Sequence, residues 1–326
     1  MRRTTARVLG SLLLVAAIMV VAGIADAQYG KDKVRVGKAI AEHFAFIPME
    51  VGVELGFWEK VGLEVEIAAF GGDARMQQAL TSASIDFGLG SGPGMGFMAK
   101  GVPAKGVAAF AGPPRNMALL VHPDGPVREV AALKGRKIGV TTPGSLTDWL
   151  TRELSRQQGW GPEGITRVPV GGTAETRAAF KTRQIDGFVH GNATALDLED
   201  RGEVKLLVNF GEYVKDFHTH IIFARNEVIE KNPSVVRKFV RGWFDTVAYM
   251  KANRAQTVKM ATKILKMNEA VAAKVYDSEM SMMSDDGAFN PAAVAVLKKS
   301  FVELGILPQE PDSKVLFTTD FVPVRR

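Results

Sequence analysis

Cysteine is absent from the chain. That excludes disulfides, cysteine-based metal sites, iron–sulfur clusters, thiol nucleophiles and a lipid-modified cysteine anchor. Histidine is scarce: His43, His122, His190, His218 and His220 are all there is. His218 and His220 would share a face if they lay in one strand, but no third ligand stands nearby, so no metal site is expected. There is no G-x-S-x-G elbow, no P-loop and no G-x-G-x-x-G in a nucleotide-binding context. Gly90-Ser-Gly-Pro-Gly94 lacks the Gly-Lys-Ser/Thr continuation of a phosphate loop. No low-complexity segment or Pro-rich linker appears, and nothing argues for a catalytic set or a cofactor.

Only one long apolar run occurs, and it lies at the start. Arg2, Arg3 and Arg7 precede an uncharged stretch from Val8 to Ile24, followed by Ala25-Asp26-Ala27. A basic n-region, an apolar h-region and an A-x-A site make a secretory signal peptide, with cleavage expected after Ala27. The run is a little short for the roughly 20 residues of a spanning helix. Its removal lowers the net charge from +6 to +4. The remaining Lys and Arg are scattered among acids, so no nucleic acid partner is expected. A free soluble monomer in a periplasm is the expected product.

The chain contains one stretch twice. Residues 70–86 read FGGDARMQQALTSASID and residues 170–186 read VGGTAETRAAFKTRQID. Gly71/Gly171, Gly72/Gly172, Ala74/Ala174, Ala79/Ala179, Ile85/Ile185 and Asp86/Asp186 coincide without a gap. In each copy a strand (Val65–Phe70, Thr166–Val170) runs into Gly-Gly, then an Ala-rich helix, then a strand opening with Ile-Asp. Paired glycines turn the chain sharply and leave helical N–H groups uncovered for an anion. Asp73 or Thr173 is expected to cap the helix. A lone copy would mark only a turn; two copies point to two similar α/β lobes facing each other.

Further candidates lie at strand-to-helix junctions. The loop from Glu42 to Ile47 carries His43, Phe44 and Phe46, and Pro48 opens a helix. Ser91 and Gly92 sit in a glycine-rich loop after a strand, a placement suited to ligand approach. Arg115, in Gly112-Pro-Pro-Arg-Asn116, could grip an anion bidentately. Ser145 with Asp148 has capping-box spacing, and Thr142, Ser145, Leu146 and Thr147 gather hydroxyls and N–H groups at one helix start, a seat for a carboxylate or sulfonate. Thr173, His190 and Asn192 match the first lobe's cleft positions from the other side. Beyond Asn232-Pro233 the pattern is helical, with Val235, Phe239, Trp243 and Val247 as a core stripe and Met280, Met282 and Met283 as packing residues. The expected division is 1–27 signal peptide, 28–121 lobe one, 122–218 lobe two, and 219–326 a mostly helical return to lobe one.

Leu55-Gly-Phe-Trp-Glu-Lys-Val-Gly-Leu63, Ile85-Asp86, Leu133-Lys-Gly-Arg-Lys-Ile-Gly139, Gln184-Ile-Asp186 and Asn232-Pro-Ser-Val-Val-Arg-Lys-Phe239 occur in order across the mature chain. Together they resemble the nitrate/sulfonate/taurine-type (NMT1-like) substrate-binding proteins of ABC importers. The resemblance implies an α/β periplasmic binding protein fold of type II, with two lobes, a ligand cleft and a helical tail packed on lobe one. It implies closure on a small anionic or polar organic solute and delivery to an inner-membrane permease driven by an ATPase. Phe44, Phe46 and Trp149 would suit an organic body better than bare nitrate. Two rivals are an enzyme on the same fold and a periplasmic sensor subunit. Similar thiamine-pyrimidine synthases use a Cys-rich motif absent here, and similar dehydratases are not typically exported.

Overall fold

The computed structural model describes residues 30–325; the expected signal peptide at 1–27 lies outside the described residues. Residues from Lys33 onward belong to one compact unit. The chain begins with β1 (Asp32–Lys38), α1 (Pro48–Glu54), α2 (Phe57–Lys60), β2 (Leu63–Ala69), α3 (Asp73–Thr81), β3 (Phe87–Ser91), α4 (Gly96–Ala99) and β4 (Ala104–Ala111). It continues with β5 (Met117–Val121), β6 (Lys137–Val140), α5 (Leu146–Gln157), β7 (Thr166–Pro169), α6 (Thr173–Lys181), β8 (Gly187–Gly191), α7 (Asn192–Asp200) and β9 (Lys205–Asn209). After β10 (His220–Arg225) come α8 (Asn226–Lys231), α9 (Pro233–Ala252), α10 (Arg254–Leu265), α11 (Glu269–Glu279), α12 (Pro291–Glu303) and α13 (Ser313–Leu316).

Two five-stranded sheets result, ordered β2-β1-β3-β10-β4 and β7-β6-β8-β5-β9. In each, the fourth strand is antiparallel to its neighbours and arrives from the other lobe: β10 in the first, β5 in the second. The chain therefore passes to lobe two at 112–116, before β5. The sequence boundary after Val121 is corrected on this point, because β5 reads equally well as the last strand of one lobe or the first of the next.

The repeat explains why the two lobes fold alike. Asp86 N–H donates to the Arg35 carbonyl at 2.8 Å while its carboxylate accepts the Arg35 N–H at 3.0 Å. Asp186 does the same with Lys137, at 2.8 Å and 2.8 Å. Each Ile-Asp thus locks the strand it opens onto its parallel neighbour, β1 in one lobe and β6 in the other. Ile85 and Phe70 press on Gly37, and Ile185 and Val170 press on Gly139. A Cβ at Gly37 would sit 2.5 Å from Ile85 Cδ1, and one at Gly139 2.6 Å from Ile185 Cδ1, so β1 and β6 both need glycine there.

Of the expected tail stripe, Phe239, Trp243 and Val247 are buried and Val235 is only partly so, with Val236 and Val240 buried beside them. Phe239 stacks between Trp58 (5.1 Å) and Phe87 (4.2 Å), tying α9 to α2 and β3. Met280, Met282 and Met283 are buried. The tail also reaches lobe two, which the sequence did not disclose: α11 packs on α7, and Ser300 of α12 accepts the Trp149 indole N–H at 2.8 Å. Phe239→Ala empties the middle of the aromatic stack and is expected to cost about 3–5 kcal/mol. Denaturant unfolding that lowers the midpoint without changing the slope would record it.

Candidate functional site

Between the lobes lies a small cavity, with about 40 Å³ open to the centre of a water-sized molecule. Lobe one contributes Ala39, Ile40, His43, Phe46, Gly72, Asp73, Gly90 and Ser91. Met117, Thr141, Leu146 and Thr147 come from lobe two, and His220 from the returning strand. The walls are mostly apolar, and among the described residues neither Lys nor Arg lines them.

The lobes touch directly. Ala74 N–H donates to Thr142 Oγ1 at 3.2 Å, and Leu146 N–H donates to Asp73 Oδ2 at 3.4 Å. A Cβ on Gly71 would lie 3.2 Å from the Gly172 nitrogen. The Gly-Gly turns of the two copies thus face each other across the cleft, and this is a closed arrangement.

Asp73 does not cap its own helix. Its carboxylate accepts Ser91 N–H at 2.9 Å and the Ser91 hydroxyl at 3.0 Å, besides Leu146 N–H. The expected cap is corrected here: Gly72 is the N-cap, Asp73 is already the first residue of the helix, and its carboxylate turns to Ser91 and Leu146 instead. Burial raises its pKa while the bonds from Ser91 and Leu146 oppose that shift. Thr173 likewise makes no cap; its hydroxyl is 3.3 Å from His190 Nε2.

At the start of α5, Ser145 caps by accepting Asp148 N–H, but Asp148 answers to Gly144 N–H at 2.9 Å. The Thr141, Ser145 and Thr147 hydroxyls bond one another at 2.9–3.1 Å. The hydroxyls gathered at this helix start are thus engaged with one another, and Asp73 of the opposite lobe accepts its Leu146 N–H.

His43 Nδ1 accepts Ala45 N–H at 3.2 Å, which leaves the proton on Nε2. That Nε2 is buried without a partner. His220 Nε2 accepts from Asn116 Nδ2 at 3.2 Å, and the same amide donates to Glu279 at 3.4 Å. Burial lowers His220 to about 3 and His190 to about 4, lowers His43 well below its ordinary value, and pushes Glu279 up to about 8. The site's histidines are neutral at pH 7.

Of the sequence candidates, His43, Phe46, Ser91, Leu146 and Thr147 line the cavity. Phe44 turns to Tyr276 instead, and Trp149 is buried against Phe217 and Ser300. Gly92 meets the hinge: a Cβ there would come within 2.0 Å of the His218 carbonyl. Arg115 is exposed, and its carbonyl accepts the Asn192 amide at 2.8 Å. Asp73, Thr141, Met117 and His220 line the cavity without having been singled out for it. Asp73 alone left a sequence signal, as the acid where the second copy has threonine.

Residues 43–257, more than half of the chain, match the NMT1/THI5-like family. The chain belongs to that family. A Brucella abortus member named as a binding protein is 27% identical over 297 residues, covering 88% of this chain and 91% of that one. A Bacillus subtilis protein named for binding aliphatic sulfonates is 24% identical over 273 residues, covering 82% and 81%. The alkanesulfonate-binding protein of Xanthomonas axonopodis pv. citri, solved with MOPS bound, superposes with TM-score 0.76 at 17% identity, covering 89% and 99%. That likeness speaks to fold, and the fold is the two-lobed periplasmic binding protein architecture expected of this NMT1/THI5-like chain.

Proposed function

We propose that this NMT1/THI5-like protein is the periplasmic solute-binding component of an ABC importer. It captures a small charged or polar organic solute by closing its lobes and delivers it to an inner-membrane permease. The observation that carries this reading is the interlobe cavity, lined from one lobe by Gly72, Asp73, Gly90 and Ser91 and from the other by Thr141, Leu146 and Thr147, with β5 and β10 each arriving from the opposite lobe. Two crossovers near 112–116 and 210–219 give the hinge on which such lobes open. The contacts between Asp73 and Leu146, and between Ala74 and Thr142, are the ones opening must break.

A thermal-shift screen of the exported protein tests it. The panel holds taurine, alkyl and aryl sulfonates, nitrate, pyrimidines, amines and carboxylates. Ligand at one hundred times its dissociation constant adds about 2.7 kcal/mol to stability, a rise of several degrees at most. A ligand recovered unchanged supports binding; one consumed over time indicates an enzyme on this fold, and no shift with any compound counts against capture.

A further inference from the structure

Four buried carboxylates are found among the described residues: Asp73, Asp148, Glu153 and Glu279. Three are accounted for. Asp148 pairs with Arg167 at 2.7 Å and with Arg152 at 3.2 Å, and Glu153 pairs with Arg156 at 2.7 Å. Glu279 holds its proton at neutral pH, its pKa being pushed up to about 8 by burial. Asp73 is left. Burial raises the Asp73 pKa and its three donors oppose that shift, and among the described residues no Lys, Arg or His stands within ion-pair distance of it. Lys38, the buried cation of the same lobe, is engaged by Glu50. Arg75 is exposed.

A buried charge without a counter-charge is costly unless something supplies one. The cavity that Asp73 lines offers space next to it, walled by the rings of Phe46, His43 and His220, which lie 4.9–5.1 Å apart. His43 lines the same cavity, and its protonated Nε2, beside Gly191, is buried without an acceptor among the described residues. A bare anion entering here would meet the like charge of Asp73 in a low-dielectric pocket and no cation to offset it.

Resting on the importer reading above, we propose that the cargo is a small organic molecule with a positively charged nitrogen that faces Asp73. An acceptor oxygen or ring nitrogen on the same molecule faces His43 Nε2–H. Asp73 is thus the residue that sets the charge of what is carried. Aromatic faces beside it favour a cation further.

The test uses probes of matched shape and opposite charge on the exported protein: benzylammonium against benzoate and benzenesulfonate, and propylammonium against butyrate. Calorimetric titration at low salt is expected to give the cations at least tenfold tighter binding. Asp73→Asn, close in shape, should erase that preference, and Asp124→Asn, the same exchange at an exposed carboxylate outside the cavity, should retain it. Tighter binding of the anions, equal binding, or no binding of any probe overturns the proposal. Equal weakening of all probes in Asp73→Asn also overturns it, since that is the signature of a residue that only latches the lobes. An anion that binds tightly and is recovered unchanged sinks the charge assignment while leaving the importer reading standing.

Discussion

Gly72→Ala is expected to weaken ligand capture by about tenfold to a hundredfold while each lobe stays folded. Gly72 has φ +138° and ψ 156°, a region open in practice only to glycine. A Cβ there would stand 2.5 Å from Thr142 Cγ2 and 2.8 Å from its Oγ1, across the cleft. The backbone strain, about 1–3 kcal/mol, burdens the open and closed forms alike and lowers the melting temperature by a few degrees. The clash belongs to the closed form only. Overpacking of this kind costs about 1–3 kcal/mol, and that difference is what affinity reads. Thr142→Ala in the same chain removes both offending atoms and should recover part of the loss. Unchanged affinity in Gly72→Ala would mean that ligand is held without this contact forming.

The second large effect is a stability maximum near pH 6.5. His190 and His218 fall to about 4 and His220 to about 3, all through burial, while His43 is lowered in the same direction. These groups are neutral in the fold and take protons in the unfolded chain below 6.5, so stability drops as pH falls from there. Together the three with values amount to on the order of 10 kcal/mol by pH 3, comparable to the whole stability of a typical protein. Acid unfolding is therefore expected around pH 4–5. Glu279 acts in the opposite sense. Its folded pKa of about 8 lies above the ordinary 4.5, so the unfolded chain ionises first and stability declines from 4.5 up to 8. Below 6.5 the histidines outweigh it; above 6.5 it acts without them. Glu279→Gln keeps the acceptor for Asn116 and should flatten that alkaline limb, adding on the order of 4 kcal/mol at pH 8. Denaturant titrations at pH 5, 6.5 and 8 check both limbs. A wild-type chain equally stable at 6.5 and 8 would contradict the buried, protonated Glu279.

The repeat made much of this molecule legible from its residues. Gly-Gly, the central alanine and Ile-Asp recur because each does one mechanical job per lobe: turning into the helix, packing it, and clamping the next strand to Arg35 or Lys137. What recurs is local, and local periodicity is readable. The crossover strands were harder, since β5 and β10 are apolar runs whose sheet membership depends on partners about 70–130 residues away. Asp73 was misread for a related reason. Its sequence position is that of a helix start, whereas its partners are Ser91, 18 residues on, and Leu146, 73 residues on, in the other lobe. Trp149 and Phe44 looked like ligand-facing aromatics by composition, yet Ser300 and Tyr276 of the tail cover them. Sequence showed where the lobes face each other, and not which side chains the third, helical layer would take out of the cleft.

Lobe closure on ligand is the central claim, and the absence of native cysteine allows a direct measurement of it. Gln78→Cys on α3 and Ala178→Cys on α6 place spin labels at exposed, repeat-equivalent positions on the two lobes. Pulsed electron resonance then gives their distance distribution without and with a compound identified by the thermal-shift screen. Without ligand the distribution is expected to be broader or longer, and to collapse to one short distance when ligand is added. A distribution that ligand leaves unchanged would contradict closure as the mode of capture.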